Sequence, residues 1–140
     1  MKSNLLCSVI ALVLGAAPLI TSGPAWANEI KLTLSGTQEV PPVNTSATGS
    51  GTVTVNADMT VSARITTTGI AATAAHIHMA PAGQNGPVIV PFSKSGDAWV
   101  AAPGAKLTEA QYAAYKAGNT YVNVHSAAVP SGEIRAQIRP

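Results

Sequence analysis

Apolar residues recur at every second position in short runs along this chain. The runs fall at 30–34, 51–55, 61–65 and 121–125, and the intervening positions are mainly polar. Because a strand turns successive side chains to opposite faces, this alternation is typical of strands with one buried face. Seven or eight such segments, separated by closely spaced turn signals, predict an antiparallel β-sandwich or a Greek-key barrel.

One segment departs from this pattern and predicts a short helix. Residues 110–117 are rich in helix-forming side chains, and Gly118 follows them as a typical C-terminal stop. Thr108 and Gln111 have the spacing of a capping box, in which each side chain bonds the backbone N–H of the other residue. The chain is therefore predicted to be mainly β with one short helix.

The first 27 residues have the features of a secretory signal peptide. The chain starts with one positive charge, residues 5–20 are largely apolar, and Ala25-Trp26-Ala27 fits the small-x-small pattern read by signal peptidase. The apolar stretch is short for a transmembrane helix and contains Pro18. We therefore predict that residues 1–27 are cleaved and that residues 28–140 are exported to the periplasm or the extracellular space. No stable membrane anchor is expected after cleavage.

The composition of the exported part excludes several classes of function. The only cysteine, Cys7, lies in the signal segment, so we expect no disulfide and no catalytic or metal-binding thiolate. Charged residues make up 10% of the chain and the formal net charge is +2, which provides no electrostatic surface for nucleic acid. No nucleophile is paired with a general base, so an enzyme is not predicted. A small ligand or a protein partner fits this composition better.

The three histidines are the best candidates for binding a ligand. His76 and His78 are two residues apart in one predicted strand, so their imidazoles point the same way, roughly 7 Å apart along the strand. His125 lies on the polar face of another predicted strand. If these two strands pair, the three imidazoles meet, and neutral imidazole suits Cu(II), Zn(II) or Ni(II). We therefore predict a transition-metal site, with copper first and zinc second.

Polar residues near the histidines are predicted to orient them. Alternation places Tyr121 and Asn123 on the same face as His125, and it turns Glu133 and Arg135 outward on the last strand. The polar faces are expected to be accessible to solvent or to a ligand, because the apolar faces form the core. Hydrogen bonds from such residues would fix the imidazoles around a metal.

A second interpretation of the histidines needs no metal. Strands of mixed polarity produce a His-x-His pattern often, and these imidazoles can simply bond Tyr121, Asn123 or Glu133. The polar face would then belong to a structural or protein-interaction module with an unidentified partner. The absence of histidine elsewhere in the chain favours the metal site.

Several loop and turn residues are predicted to have structural roles. Prolines lack a backbone donor, which confines the segment after Glu39 to a loop or a sheet edge. Arg135 is the candidate ion-pair partner of Glu39, and such a pair is architectural in most proteins. The residues assigned a structural role are Glu39, Pro41, Pro42, Gly86, Gly118 and Gly132.

A series of motifs resembles the CHRD domain, a module that is repeated in chordin and found singly in many secreted bacterial proteins. The resemblance implies a secreted β-sandwich-like module, and its histidine motifs coincide with the three-histidine site. Met79 and Ala136 depart from it, because the family usually has glycine at these two positions. The motifs run in order through residues 30–139 and include Leu34-Ser35-Gly36, Glu39-Val40-Pro41-Pro42-Val43, Ala75-His76-Ile77-His78, Asn85-Gly86-Pro87-Val88, Tyr121-Val122-Asn123-Val124-His125 and Gly132-Glu133-Ile134-Arg135.

Overall fold

The computed structural model describes residues 28–140, and the predicted signal segment lies outside the described residues. Within 28–140 the chain forms eight strands, one α-helix and one turn of 3-10 helix. No helix in this range is long and apolar enough to cross a membrane. The elements are β1 (Glu29–Ser35), the 3-10 turn (Gly36–Gln38), β2 (Thr48–Val55), β3 (Val61–Thr68), β4 (Ala72–Met79), β5 (Val88–Ser95), β6 (Ala98–Ala101), α1 (Glu109–Lys116), β7 (Thr120–Ser126) and β8 (Ile134–Ile138).

The strands pair antiparallel and close into a barrel in the order β1-β2-β3-β6-β5-β4-β7-β8. Closure is made where Ser35 of β1 pairs with Arg135 of β8. The neighbouring strands β7-β4-β5-β6 have the order of a Greek key. The mainly β prediction with one short helix is confirmed, and of the two predicted architectures the structure has the barrel.

The apolar face of each strand fills the barrel interior. Burial of a large aliphatic or aromatic side chain stabilises the fold by roughly 1.5–3 kcal/mol, so this interior supplies most of the driving force for folding. The core includes Leu32, Leu34, Val53, Ile65, Ile77, Phe92, Trp99, Leu107, Tyr115, Val122, Val124, Ile134 and Ile138.

The helix α1 begins at the predicted capping box. The Thr108 hydroxyl accepts a hydrogen bond from the backbone N–H of Gln111 at 3.2 Å, and the Gln111 side chain accepts one from the Thr108 N–H at 2.9 Å. Tyr115 packs into the core with 6% of its surface exposed. Gly118 follows the helix with φ +75°, a left-handed conformation that glycine adopts without strain. Both ends of the helix are therefore fixed by local sequence.

Replacing Thr108 with alanine is expected to lower the free energy of unfolding by about 1 kcal/mol, because one N–H of the first turn loses its acceptor. The decrease would be measured by urea denaturation followed by circular dichroism. Thr68→Ala, at an exposed position near the end of β3, is the matched control and should change stability by less than half as much. Equal stability of the two variants would show that the capping box contributes nothing.

The polar outer face of β7 and β8 is buried, contrary to the expectation that it faces solvent. Tyr121, Asn123, Glu133 and Arg135 are each exposed by 9% or less, and we call these four residues the outer polar layer. Two loops, 36–47 and 80–87, cover this layer and bond to it. The alternation correctly predicts which way these side chains point, but loops that return over a strand decide whether water reaches them.

Candidate metal centre

Strand pairing brings the three histidines together. His76 and His78 lie on the outer face of β4, and β4 pairs with β7 so that Asn123 is opposite His76 and His125 is opposite Ala74. His125 is therefore the diagonal neighbour of His76, a position within reach of a long side chain. One ring nitrogen from each of the three imidazoles lies within 4.8 Å of the others.

Two of the imidazoles are held by backbone carbonyls. Nδ1 of His78 lies 2.9 Å from the Gly86 carbonyl oxygen, and Nδ1 of His125 lies 2.9 Å from that of Pro130. A carbonyl only accepts hydrogen bonds, so Nδ1 carries the proton in each ring and Nε2 keeps its lone pair. Metal-binding histidines in proteins are usually oriented by a bond of this kind. Both Nε2 atoms are thus prepared to act as ligands.

The spacing and chemistry of the nitrogens fit a transition metal. Nδ1 of His76 donates a hydrogen bond to Nε2 of His125 at 3.1 Å, because the only proton of the neutral His125 ring is on its Nδ1. Two nitrogens that each bind one metal at 2.0–2.1 Å are about 3 Å apart, so an ion that displaces this proton needs little movement of either ring. Nε2 of His78 is buried and has no hydrogen-bond partner among the described residues. A buried lone pair without a partner is costly, and a bound cation would satisfy it.

The surroundings of His76 and His78 disfavour their charged forms. Burial lowers the pKa of His76, and the neighbouring imidazoles of His125 and His78 lower it further. Burial is also the main cause of the lowered pKa of His78, and His125 and Arg135 act in the same direction. Because metal binding requires neutral imidazole, a lowered pKa reduces competition from protons.

The 80–87 loop supplies the carbonyl that holds His78. The Gly86 N–H donates to the Tyr121 hydroxyl at 3.2 Å, and the Tyr121 ring stacks on His78 with a centroid distance of 4.9 Å and an angle of 10°. A side chain at Gly86 would collide with the Met79 carbonyl, so the close approach of this turn to β4 requires glycine. One turn therefore fixes both the hydrogen bond and the stacking of His78.

Arg135 holds the same 80–87 loop through hydrogen bonds. Its guanidinium donates to the carbonyls of Gln84 and Pro81 at 2.8 and 3.3 Å, and to Asn85 Oδ1 at 3.3 Å. It also lies over the face of Tyr121, 3.4 Å from the ring centroid. Arg135, Tyr121 and His78 thus form one stack, in which Tyr121 lies between Arg135 and the histidine cluster.

The loop before β8 supplies the carbonyl that holds His125. The Ser126 hydroxyl donates to Oε2 of Glu133 and accepts from the Val129 N–H at 3.1 Å. These bonds fix the turn that contains Pro130, whose carbonyl accepts from His125. Glu133 therefore does not touch an imidazole, and its influence on His125 passes through the loop.

Glu39 is buried but forms no ion pair with Arg135 within the described chain, contrary to the predicted pairing. Burial raises the pKa of Glu39 to about 7, and the charge of Arg135 and the Asn123 amide act in the opposite direction. The four terminal N–H groups of Arg135 are directed to the 80–87 loop and to Gln137 instead. Arg135 therefore lies close enough to affect the pKa of Glu39, but its hydrogen bonds go to the 80–87 loop and to Gln137.

The remaining residues assigned structural roles lie around this carboxyl. Gly132 has φ +125°, and a side chain there would come within 2.8 Å of Glu39 Oε1. Pro41 follows a cis peptide bond, and the Val40 carbonyl accepts from the Asn85 side chain at 2.6 Å. Pro42 lines a cavity beside this segment, outside the histidine cluster. These contacts join the 36–47 loop to the 80–87 loop.

The two carbonyl acceptors were not predicted, because every residue has a backbone carbonyl and the sequence does not show which ones accept a side-chain hydrogen bond. As residue types, Gly86 and Pro130 indicate only turns. The available signal is proximity along the chain, since Gly86 follows His78 by eight residues and Pro130 follows His125 by five. A tight turn shortly after a candidate ligand is a place where such a carbonyl can be expected.

Comparison with protein-family models places these residues in a known family. The model of the CHRD domain matches residues 30–138. The chain belongs to the CHRD domain family. No curated protein and no solved structure matches it. The barrel and the histidine cluster described above therefore lie within the matched segment of this CHRD domain.

The two departures from the usual CHRD pattern leave the strands intact. Met79 ends β4 and Ala136 lies within β8, and neither has a positive φ. Met79 pairs with Thr120 and Ala136 with Val122, so both keep their place in the sheet. Substitution of glycine by these residues is thus compatible with the geometry next to the histidines.

Proposed function

We propose that this CHRD protein is exported and binds one transition-metal ion through His76, His78 and His125, with copper as the first candidate and zinc as the second. The observation that carries this proposal is the convergence of three ring nitrogens within 4.8 Å. The carbonyl bonds to His78 and His125 support it, because they direct Nε2 of each ring away from the backbone.

The chemistry of the donors supports copper or zinc. Three neutral imidazoles are a borderline donor set that suits these ions better than magnesium or calcium, which prefer oxygen. His76 and His125 are partly exposed, so an ion can enter from solvent. Export is supported by the charged start, the apolar stretch and the Ala25-Trp26-Ala27 sequence. An exported domain of this kind would bind metal outside the cytoplasm.

The proposal is tested by metal analysis of the purified protein and by competition titration with copper and zinc. We expect one equivalent of metal per chain. His76→Ala, His78→Ala and His125→Ala should each weaken binding by about 100-fold or more, because outer partners alone commonly account for 10- to 100-fold.

Thr73→Ala is the matched control, since Thr73 lies on β4 beside the site and donates to the His125 backbone carbonyl without touching an imidazole. It should bind metal like the wild type. If all four variants bind as the wild type does, or if the wild type takes up no metal, the proposal is wrong. The polar face would then belong to a structural or protein-interaction module.

A further inference from the structure

Asn123 lies beside the histidine cluster, on the same face of the sheet. It is opposite His76 in the β4–β7 pairing and shares a face of β7 with His125, two residues away. His78 is its diagonal neighbour in this pairing, because Tyr121 is opposite His78. Only 2% of the surface of Asn123 is exposed.

The orientation of this amide follows from its position next to Glu39. A side chain at Gly132 would come within 2.5 Å of Asn123 Nδ2 and 2.8 Å of Glu39 Oε1, so Nδ2 and the carboxyl lie on the same side of Asn123. A carboxylate attracts the donor arm of an amide, since only Nδ2 donates and only Oδ1 accepts. Oδ1 is therefore directed away from Glu39, toward the histidines on the same face of the sheet.

Two buried acceptors without partners are consequently left beside the centre. Asn123 Oδ1 and His78 Nε2 both lack hydrogen-bond partners in the described part of the chain. The His78 proton is on Nδ1, where it is bonded to Gly86, so the neutral ring has none to offer Asn123. Buried polar atoms without partners are rare and often mark an ion or a water that the protein binds. Ring nitrogens of His76 and His125 lie within 4.8 Å of that of His78.

We propose that Asn123 Oδ1 is a fourth metal ligand, which completes a set of three imidazole nitrogens and one amide oxygen. This ligand presupposes the proposed three-histidine site and adds to its specificity. Soft ligands and few of them favour Cu(I), whereas a neutral oxygen added to three imidazoles favours a divalent ion. The centre should therefore bind Cu(II) or Zn(II) in preference to Cu(I).

The test is a titration of the ¹⁵N-labelled protein with Zn(II), which is diamagnetic. Coordination through Oδ1 withdraws electron density from the amide, so the side-chain N–H₂ resonances of Asn123 should shift in proportion to zinc bound. Those of Asn56, in the β2–β3 turn, serve as the internal reference and should not move. Asn123→Leu should weaken zinc binding by about 100-fold, the upper end of the loss for an outer partner.

Asn123→Asp separates coordination from a structural role. It keeps an oxygen donor at the same position, so zinc binding should stay within about tenfold of the wild type even though the metal-free variant is destabilised by a carboxylate next to Glu39. Zinc binding by the wild type with an unmoved Asn123 resonance would overturn the fourth ligand but not the three-histidine site. Equal zinc affinity of Asn123→Leu and the wild type would also overturn the fourth ligand and leave the three-histidine site standing. Failure of the wild type to bind any metal would overturn both.

Discussion

Replacing Arg135 with methionine is expected to lower the free energy of unfolding by about 3 kcal/mol. The side chain is 1% exposed, and its guanidinium donates to the carbonyls of Gln84 and Pro81 and to the side chains of Asn85 and Gln137. Methionine fills a similar volume but leaves these acceptors without donors. Lysine would not restore them, because one ammonium group cannot match the planar fork of arginine.

The loss would be measured by urea denaturation, with Arg64→Met as the matched control. Arg64 has 57% of its side chain exposed and a single ion pair with Asp97 at 3.4 Å, so its loss should cost no more than about 0.5 kcal/mol. Arg135→Met should also bind metal more weakly than Arg64→Met, because the 80–87 loop that holds His78 loses its anchor. Equal denaturation midpoints for the two variants would contradict this role of Arg135.

The sequence predicted the strands and the helix because both depend on local chemistry. Alternation of apolar and polar residues marks a strand wherever one face is buried, and the capping box at Thr108 marks the start of the helix. Closure into a barrel could not be predicted in the same way. A sandwich and a barrel both bury one face of each strand, so the same alternation serves either architecture.

Burial of the outer polar layer was missed for a related reason. The alternation gives the direction of Tyr121, Asn123 and Arg135 but contains no information about what lies above them. The loops that cover them, 36–47 and 80–87, contain proline and glycine, which predict turns but not the surface on which those turns lie. Charged residues are rarely buried without partners, so burial of Arg135 depends on acceptors that come from 50 residues away.

The spacing of His76 and His78 predicted one part of the histidine cluster, and the position of His125 depended on the fold. A separation of two residues places His76 and His78 on one face without any knowledge of the fold. The contribution of His125 depends on which strand is the neighbour of β4, and that choice is made by long-range packing. The structure places β7 there, which puts the His125 ring centroid 4.9 Å from that of His76.

A second large effect is expected from the buried carboxyl of Glu39, and it depends on pH. Burial raises its pKa from 4.5 to about 7 in the folded state, so the folded protein holds this proton more tightly than the unfolded chain. The contribution of Glu39 to stability is therefore present below pH 4.5 and is lost as the pH rises through about 7. At 1.36 kcal/mol per pKa unit, the loss is about 3 kcal/mol.

Replacing Glu39 with glutamine removes the ionisation and keeps an acceptor for Asn123. The metal-free variant should match the wild type near pH 4 and exceed its free energy of unfolding by about 3 kcal/mol at pH 8. The lowered pKa values of His76 and His78 make the free energy of unfolding fall as the pH decreases. Because both histidines are present in the variant and in the wild type, their contributions cancel in the difference. Glu29→Gln, at an exposed position of β1, is the matched control and should differ from the wild type by no more than about 0.5 kcal/mol. A difference between Glu39→Gln and the wild type that stays constant from pH 4 to pH 8, measured by urea denaturation, would mean that folding does not raise the pKa of Glu39 and would contradict this prediction.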